Sequence, residues 1–89
     1  MNLIYKKSFL KDLKNIEKED SKRLKKLLEF LEENSKNDIF YILAPKKLSW
    51  YSDYFRIRLW DYRLWIKITS DSMEIVRFKH RKDIYKIFP

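Results

Sequence analysis

Arginines alternate with apolar residues in the centre of this chain, and that alternation constrains its fold more than any other feature. Arg56 and Arg58 are interleaved with Phe55, Ile57 and Leu59. A β-strand sends successive side chains to opposite faces, so the apolar side chains share one face and the arginines share the other. The pattern therefore predicts a strand with one face built for a core and one face suited to anions.

Two more strands are expected after this one, which gives an antiparallel meander. The first hairpin strand runs from about Asp53 to Leu59, and a tight turn at Trp60-Asp61 leads into a strand from about Tyr62 to Thr69. Ser70-Asp71-Ser72 has the composition of a turn, and the third strand spans Met73 to Lys79.

Strict alternation in the third strand predicts that Ile75 and Arg77 share one face while Val76 and Phe78 share the other. A short final segment, Ile84 to Phe88, comes after the polar residues that follow this strand. We expect this segment to be a short C-terminal helix.

The first residues predict a short strand and then a helix. Leu3 to Tyr5 is the strand, and Ser8 is the expected N-cap of the helix. Phe9, Leu13 and Ile16 recur at i, i+4 and i+7, which forms one helical face. The residues expected off this face are Lys11, Asp12 and Lys14.

A second helix is expected from about Ser21 to Asn34, after a short link at Lys18 to Asp20. Its apolar stripe consists of Leu24, Leu27, Leu28 and Leu31. We interpret Ser35 to Asp38 as a polar connection, and Ile39 to Ala44 as either a turn packed over the core or a brief strand. A basic loop, Lys46 to Trp50, then leads into the hairpin.

The order of these elements is β-α-α-β-β-β with a short C-terminal helix, which indicates an α+β fold. Two short helices joined by a tight link form an antiparallel hairpin. We expect this hairpin to pack on one face of a mainly antiparallel sheet. The length of 89 residues suits a single domain, residues 1–89, with one core.

Positive charge is concentrated in the second half of the chain. The formal net charge is +8; residues 1–44 carry 10 Lys and Arg against 8 Asp and Glu, and residues 45–89 carry 11 against 5. Charges of mixed sign in the first half are typical of solvated helix faces. In the second half, arginines set among aromatic residues favour binding to phosphates and bases.

Composition excludes several kinds of site. The chain has no cysteine and one histidine, which excludes a disulfide framework, a thiolate metal site and a multi-histidine metal site. The longest apolar run, Ile39 to Ala44, is too short to span a bilayer, and no apolar segment follows Lys6-Lys7 as a signal peptide would require. We therefore expect no membrane partner, and the lack of cysteine fits a cytoplasmic protein.

Four segments together resemble the RelE/ParE toxin superfamily, on its RelE-like side. They are Phe9-Leu10-Lys11-Asp12-Leu13, Lys46-Lys47-Leu48, the stretch from Tyr54 to Arg63, and His80-Arg81-Lys82-Asp83-Ile84-Tyr85. They occur in the family's order and at its usual chain length, and the family fold agrees with the elements above. The resemblance implies the toxin of a type II toxin–antitoxin system. For a RelE-like member it implies a ribosome-dependent endoribonuclease that cleaves mRNA in the ribosomal A site.

The reaction that the resemblance implies is attack of a ribose 2′-OH on the adjacent phosphate with loss of the 5′-oxygen. Such a site needs no metal or other cofactor if cations stabilise the transition state, but it needs an acid and a base for proton transfer. The candidate catalytic residues are Arg56, Arg58, Arg63, Arg81, Tyr85 and His80. The candidate RNA-binding residues are Lys46, Lys47, Lys79 and Lys82.

The roles differ among these residues. Arg56, Arg63 and Arg81 are the expected ligands of the phosphate and the transition state, and Arg58 is a further ligand or a weak substitute for a base. Tyr85 could stack on a nucleobase or transfer a proton.

Other interpretations of the same residues stay open. The arginines could form a solvated strand face paired with Asp53, Asp61 or Glu74, and His80 could be a packing residue at the strand end rather than a general acid or base. A ParE-like toxin of the same fold would inhibit gyrase and cleave no RNA. A non-enzymatic RNA-binding relic of a toxin is a third alternative.

The resemblance also implies two partners. One is mRNA on the ribosome, and the other is a small cognate antitoxin whose segments cover the basic face. A heterotetramer of toxin and antitoxin is one form that this assembly could take.

Tryptophan occupies three positions where the family usually has glycine, and the chain has no glycine at all. The three residues are Trp50, Trp60 and Trp65. Tryptophan at a turn position with positive φ costs about 1 kcal/mol. Our hypothesis is that the source gene has UGA codons for glycine here, translated as tryptophan; UGG codons would contradict it. A tolerated lineage change and a designed sequence are the alternatives.

Overall fold

Five strands and four helices form the part of the chain that the computed structural model describes, residues 1–49 and 51–86. The strands are β1 Asn2–Tyr5, β2 Lys46–Lys47, β3 Tyr54–Leu59, β4 Tyr62–Ile68 and β5 Ser72–His80. The helices are α1 Lys7–Asp12, which continues into a 3-10 turn at Leu13–Asn15, α2 Lys18–Glu33, α3 Lys36–Leu43 and α4 Arg81–Ile84. The predicted α+β class is confirmed.

The sheet has the strand order β1-β5-β4-β3-β2. β1 runs parallel to β5, and the other neighbours are antiparallel. The predicted meander and the mainly antiparallel pairing are therefore confirmed, with the Trp60-Asp61 turn between β3 and β4. The first strand of the chain lies beside the last, which joins the two halves of the sequence in one sheet.

The main core lies between the helices and one face of the sheet. Ile57 is 1% exposed, and Phe55 and Leu59 pack against the same cluster, as the alternation in β3 predicted. The other buried members come from α1, α2, α3, β4 and β5, and they are Phe9, Leu24, Leu27, Leu31, Ile39, Leu64, Ile66, Ile68, Met73, Ile75 and Phe78. The opposite face of the sheet carries a second, smaller cluster of Trp65, Val76 and Ile84.

A bulge in β5 shifts the predicted alternation by one residue. Ile75 and Arg77 have partners in β4, whereas Val76 is the extra residue between them. Phe78 consequently joins Ile75 in the main core, and Val76 packs in a second cluster on the other face. The expected grouping of Val76 with Phe78 was wrong, because the inserted residue changes which face each later residue occupies.

Helix α1 lies along the edge of β5 that β1 leaves free. The Ser8 hydroxyl donates to the Val76 carbonyl at 2.6 Å, and the Phe78 amide donates to the Asp12 carboxylate at 2.9 Å. These side chains replace a neighbouring strand and satisfy backbone groups that an open edge would expose. The predicted N-cap role of Ser8 was wrong, and Asp12 had been expected only to lie off the apolar face of the helix. The N-cap is Lys6, with Ser8 inside the helix, and Asp12 is buried.

Helix α2 begins earlier than the sequence suggested. It starts at Lys18, so the expected link of Lys18 to Asp20 is its first turn. Acidic residues at Glu19 and Asp20 favour this start, because the N-terminal end of a helix carries partial positive charge. The predicted stripe is confirmed, with Leu24, Leu27 and Leu31 buried and Leu28 half-buried.

Helix α3 occupies residues that were expected to form a polar connection, Ser35 to Asp38, and then a turn or brief strand, Ile39 to Ala44. The Ser35 hydroxyl accepts from the Asp38 amide at 3.2 Å and caps the first turn. The helix ends at Leu43, and its C-cap residue Ala44 has φ 46°, immediately before Pro45. This helix buries Ile39 in the main core.

The segments on either side of the β3–β4–β5 meander also differ from the prediction. The expected loop of residues 46–50 begins with the two-residue strand β2 at the sheet edge. A short C-terminal helix is present as α4, but it spans Arg81–Ile84 and so ends at the residue where the expected segment of Ile84 to Phe88 begins. Trp50 and residues 87–89 lie outside the described residues. No helix among the residues described is both long and apolar enough to cross a membrane.

Candidate functional site

The register of the sheet aligns basic side chains on the face opposite the main core. Lys46 lies opposite Arg56, and Arg58 lies opposite Arg63. Directly opposed residues of neighbouring strands project to the same face. The alternation that buries Ile57 on one side of β3 therefore gathers four cations from three strands on the other side.

These four cations line a cleft of about 310 Å³. The other lining residues are Leu43, Ala44 and Tyr85, so none of the described lining residues is a carboxylate. Concave surfaces lined by charges of one sign focus the electrostatic field and attract the opposite charge. Across residues 1–49 and 51–86, no three Asp, Glu or His side chains are placed to hold a metal ion.

A hydrogen bond links Arg56 to Tyr85 in the cleft. The Arg56 Nη1 donates to the Tyr85 Oη at 2.7 Å, and the guanidinium carbon lies 5.8 Å from the centre of the tyrosine ring. Because the tyrosine oxygen accepts in this contact, its own O–H hydrogen stays available for another acceptor. The pair therefore presents a positive charge and a hydroxyl donor to the same space.

Arg63 is buried, at 8% exposure, and also holds the β3–β4 turn. Its Nη1 donates to the Trp60 carbonyl at 2.7 Å and to the Tyr62 carbonyl at 2.9 Å. One nitrogen of the guanidinium is committed to the turn, while the side chain also forms part of the cleft wall. This arginine thus combines a structural contact with a charge at the site.

Asp12 pairs the cations that β5 contributes to this side of the molecule. Its carboxylate accepts from Arg77 at 2.9 and 3.0 Å and lies 3.4 Å from the Lys79 Nζ. Lys79 is the cross-strand partner of Arg63, and it shares the single negative charge of Asp12 with Arg77, so its own charge is partly compensated. Within the described chain, no carboxylate oxygen lies within 4 Å of the cleft cations. The cleft cations, which no described carboxylate contacts, are therefore on β2, β3 and β4.

Helix α4 is fixed to the basic face by the second, smaller core. Ile84 is fully buried and packs with Trp65 of β4 and Val76 of β5. Tyr85 follows directly after Ile84, so this packing holds the tyrosine at the cleft.

The cleft brings together half of the site residues expected from the sequence. Those that line it are Lys46, Arg56, Arg58, Arg63 and Tyr85. Those that are not among its lining residues are Lys47, Lys79, His80, Arg81 and Lys82.

His80 belongs to the main-core side of the sheet. It lies opposite Tyr62, and the two rings meet edge to face at 5.5 Å between centres. Tyr62 in turn stacks on Phe78 of the main core. The His80 Nδ1 accepts from the Lys82 amide at 3.1 Å and so caps α4. This placement corresponds to the packing alternative for His80.

The other three residues lie at the margins. The Arg81 Nε is 3.8 Å from an Asp61 carboxylate oxygen, and the Arg81 amide donates to the Asp61 carbonyl at 2.7 Å. Lys47 lies opposite Phe55 and therefore on the main-core side of the sheet edge. Lys82 is exposed on α4.

Leu43 and Ala44 are cleft residues that the sequence argument missed, because it did not predict α3. A signal for this helix was present. Ser35 and Asp38 have the spacing of an N-cap and an acidic third helical residue, and Ile39 and Leu43 recur at i and i+4.

The backbone of Trp60 has φ 43°, in the left-handed region that favours glycine. This agrees with the expectation that the turn calls for a positive φ at this position. Two contacts of the indole offset part of the cost: the Arg23 guanidinium lies 4.4 Å from the ring centre, and Tyr62 packs edge to face at 6.0 Å.

Sequence comparison places these features in a known family. The family described as the ParE toxin of the type II toxin–antitoxin system parDE matches residues 3–85. The protein named Toxin RelE3 from Methanocaldococcus jannaschii is 39% identical over 90 residues, with all of both chains covered.

Solved structures share the fold. A chain of the RelB-RelE antitoxin–toxin complex from Methanococcus jannaschii has a TM-score of 0.78 and 37% identity, covering 97% of this chain and 99% of that one. YafQ from Escherichia coli has a TM-score of 0.75 at 22% identity, with 94% and 97% covered, which shows similarity of fold alone. The chain therefore belongs to the RelE/ParE superfamily of toxins from type II toxin–antitoxin systems.

Proposed function

We propose that this protein is a ribosome-dependent mRNA endoribonuclease whose active site is the cleft of Lys46, Arg56, Arg58, Arg63 and Tyr85. The observation that carries the proposal is a concave surface that combines four positive charges with a tyrosine hydroxyl and lacks a carboxylate among its described lining residues. Uncompensated cations in this arrangement suit the phosphodiester backbone of RNA. The 39% identity to a protein named Toxin RelE3 supports the same assignment.

The proposed reaction uses the RNA's own nucleophile. The 2′-oxygen of one ribose attacks the adjacent phosphorus while the bond from phosphorus to the 5′-oxygen breaks, which yields a 2′,3′-cyclic phosphate and a 5′-hydroxyl. Negative charge accumulates on the phosphoryl oxygens in the transition state. Arg56, Arg58 and Lys46 stabilise this charge, and donors of this kind are each worth about 100-fold to 1,000-fold in rate.

Tyr85 serves one of the two proton transfers in this scheme. Arg56 donates to its oxygen at 2.7 Å and so orients the hydroxyl, whose hydrogen can pass to the departing 5′-oxygen. The 2′-OH gives up its proton to solvent water, and cations beside the 2′-oxygen favour this transfer because they stabilise its ionised form.

Primer extension on mRNA in translating ribosomes tests this proposal. We expect wild-type protein to cleave, and Arg56→Ala to cleave about 100-fold more slowly. Lys25→Ala, which removes an exposed lysine on α2, is the matched control and should cleave as wild type does. Intact mRNA in the presence of folded wild-type protein would contradict the proposal.

Arg81→Ala separates two roles for a residue that the sequence assigned to the phosphate. If Arg81 contacts the transition state, its loss slows cleavage about as much as the loss of Arg56. If Arg81 serves only to pair with Asp61 at 3.8 Å, its loss slows cleavage only slightly, and Asp61→Ala slows cleavage by the same small factor.

We also propose that a cognate antitoxin neutralises the protein by covering the basic cleft with an acidic segment. Charge complementarity favours such a partner, and one chain of similar fold was solved in a RelB-RelE antitoxin–toxin complex. Co-expression with the neighbouring reading frame, followed by light scattering, should give a complex with the mass of a heterodimer or a heterotetramer. Free toxin at its own mass would contradict this partner.

Inhibition of gyrase is the second candidate function, because the matching family is that of the ParE toxin. A gyrase supercoiling assay run beside the cleavage assay distinguishes the two. Intact mRNA with inhibited supercoiling would favour the ParE-like function, and RNA binding without either activity would favour a relic.

A further inference from the structure

The side chain of Trp65 lies close to both partners of the Arg56–Tyr85 contact. It is the cross-strand partner of Arg56, so the two side chains project side by side from the same face. Trp65 also packs in one buried cluster with Val76 and with Ile84 of α4, the residue before Tyr85. The indole therefore lies next to the donor and under the segment that carries the acceptor.

The Arg56–Tyr85 contact is too exposed to hold its own geometry. Tyr85 is 60% exposed, and a hydrogen bond in contact with water competes with water for both partners. α4 spans four residues, and Ile84 is the one that it buries. Burial of Ile84 against Trp65 and Val76 is thus the interaction that orders Tyr85.

We infer that Trp65 is a positioning residue, whose indole holds Ile84 and thereby places the Tyr85 hydroxyl on Arg56. The inference rests on the proposed function for its catalytic consequence. The indole acts through its shape and not through a hydrogen bond, because Nε1 is buried and has no hydrogen-bond partner in the described structure. A phenyl ring at this position should therefore keep most of the effect, and a methyl group should lose it.

The test compares Trp65→Phe and Trp65→Ala in the ribosomal cleavage assay and by NMR of protein with carbon-13 tyrosine rings. The Tyr85 signal is assigned as the one lost in Tyr85→Phe. We expect Trp65→Phe to cleave within about threefold of wild type and to keep the Tyr85 shift. Trp65→Ala should cleave as slowly as Tyr85→Phe, and its Tyr85 shift should move to that of an unstructured peptide.

Coupling between the residues distinguishes positioning from general destabilisation. Adding Tyr85→Phe to Trp65→Ala should cause no further loss of cleavage, because both changes remove the same contribution. Leu64→Ala is the matched control, since Leu64 is the neighbouring residue of β4 but is buried in the main core. It should lower the melting temperature while the Tyr85 shift stays in place.

Ile84→Ala probes the same contact from the helix, and it replaces Trp65→Ala if that variant does not fold. A Tyr85 shift that stays unchanged in Trp65→Ala or Ile84→Ala would overturn the inference. So would a further loss of cleavage in the double variant. If wild-type protein cleaves no RNA, the proposed function fails, and the NMR measurement still decides whether Trp65 places Tyr85.

Discussion

Three arginines hold the Trp60-Asp61 turn from different sides. Arg63 donates to the Trp60 carbonyl, Arg23 lies over the indole, and Arg81 pairs with the Asp61 side chain. Guanidinium groups suit these tasks because they combine a fixed fan of donors with a flat, weakly hydrated surface. Arg56 and Arg58 line the cleft without contacting the turn, whereas Arg63 does both. Arg77 does neither and pairs with Asp12.

Replacing Trp60 with glycine should reveal the backbone cost of a positive φ at the turn. In an Arg23→Ala background, where the cation–π contact is already absent, we expect Trp60→Gly to stabilise the fold by about 1 kcal/mol. In the wild-type background the lost contact with Arg23, worth about 0.5–1 kcal/mol, should nearly cancel this gain. Urea denaturation measures both values, and destabilisation in the Arg23→Ala background would contradict the account.

Tyr62 should make the fold sensitive to alkali. Burial, followed by the nearby negative charge of Asp20, raises the pKa of Tyr62 above its usual 10.0. The folded state therefore keeps the proton when the unfolded chain has lost it. The contribution to stability is complete below pH 10 and declines as the pH rises towards the pKa of the folded state. In Tyr62→Phe, the free energy of unfolding should fall less steeply above pH 10 than in wild type.

The two described tryptophans at expected glycine positions have different surroundings. Trp60 has a backbone that suits glycine, whereas Trp65 is 6% exposed and fills the second core beside Ile84. The sequence pattern identified both positions, but it could not show that one is a backbone constraint and the other a packing site. The proposed UGA codons stay a prediction, which the nucleotide sequence of the source gene will test.

At the scale of elements, α1 acts as a cover for an open sheet edge. It supplies a hydroxyl and a carboxylate to the backbone of β5, at Val76 and Phe78, where β1 no longer pairs. The same carboxylate binds Arg77 and Lys79, so the edge cover and the compensation of charge depend on Asp12.

Asp12→Asn should be strongly destabilising. The carboxylate is 3% exposed, and its removal leaves the Arg77 charge, 19% exposed, without a partner. We expect a loss of about 3 kcal/mol in the free energy of unfolding. Glu74→Gln is the control, because its 3.9 Å pair with Lys6 is more exposed and should be worth less than about 1 kcal/mol. A change in Asp12→Asn as small as that of the control would contradict this role.

Most strands and the leucine-rich helix could be predicted from the sequence, because alternation and helical spacing reflect a face that must be buried. Helix α3 was not predicted, since its apolar run of Ile39 to Leu43 fits a strand as well as a helix when burial is unknown. The bulge at Val76 was beyond prediction for a related reason. The composition of a strand does not reveal a bulge. The inserted residue can be identified only from the pairing with the neighbouring strand.

For the molecule as a whole, the basic face depends both on the number of its cations and on which of them a carboxylate contacts. Arg56 and Arg58 could be placed at the site from alternation alone, and Arg63 from the hairpin. The contact of Lys79 with Asp12 could not be predicted, because Asp12 is far away in the sequence and was expected only to lie off the apolar face of its helix.

RNA binding should show a salt dependence set by the four cleft cations. With a single-stranded oligonucleotide that carries 2′-deoxy sugars and cannot be cleaved, we expect the logarithm of the association constant to fall with the logarithm of salt with a slope of about −3. Arg58→Ala should reduce the magnitude of this slope by about 0.7. Lys25→Ala should leave it unchanged, and an equal effect of the two variants would place binding elsewhere on the surface.

The parallel pairing of β1 with β5 has a consequence for how the protein is made. β1 cannot pair with β5 until Ser72 to Ile75 have been synthesised. The Ser8 hydroxyl likewise donates to a carbonyl 68 residues later in the chain. Contacts this distant in sequence form late and slow folding. The cleft is completed later still, by Tyr85. During synthesis, the chain therefore contains the arginines of the cleft before the residues that complete the cleft have been added.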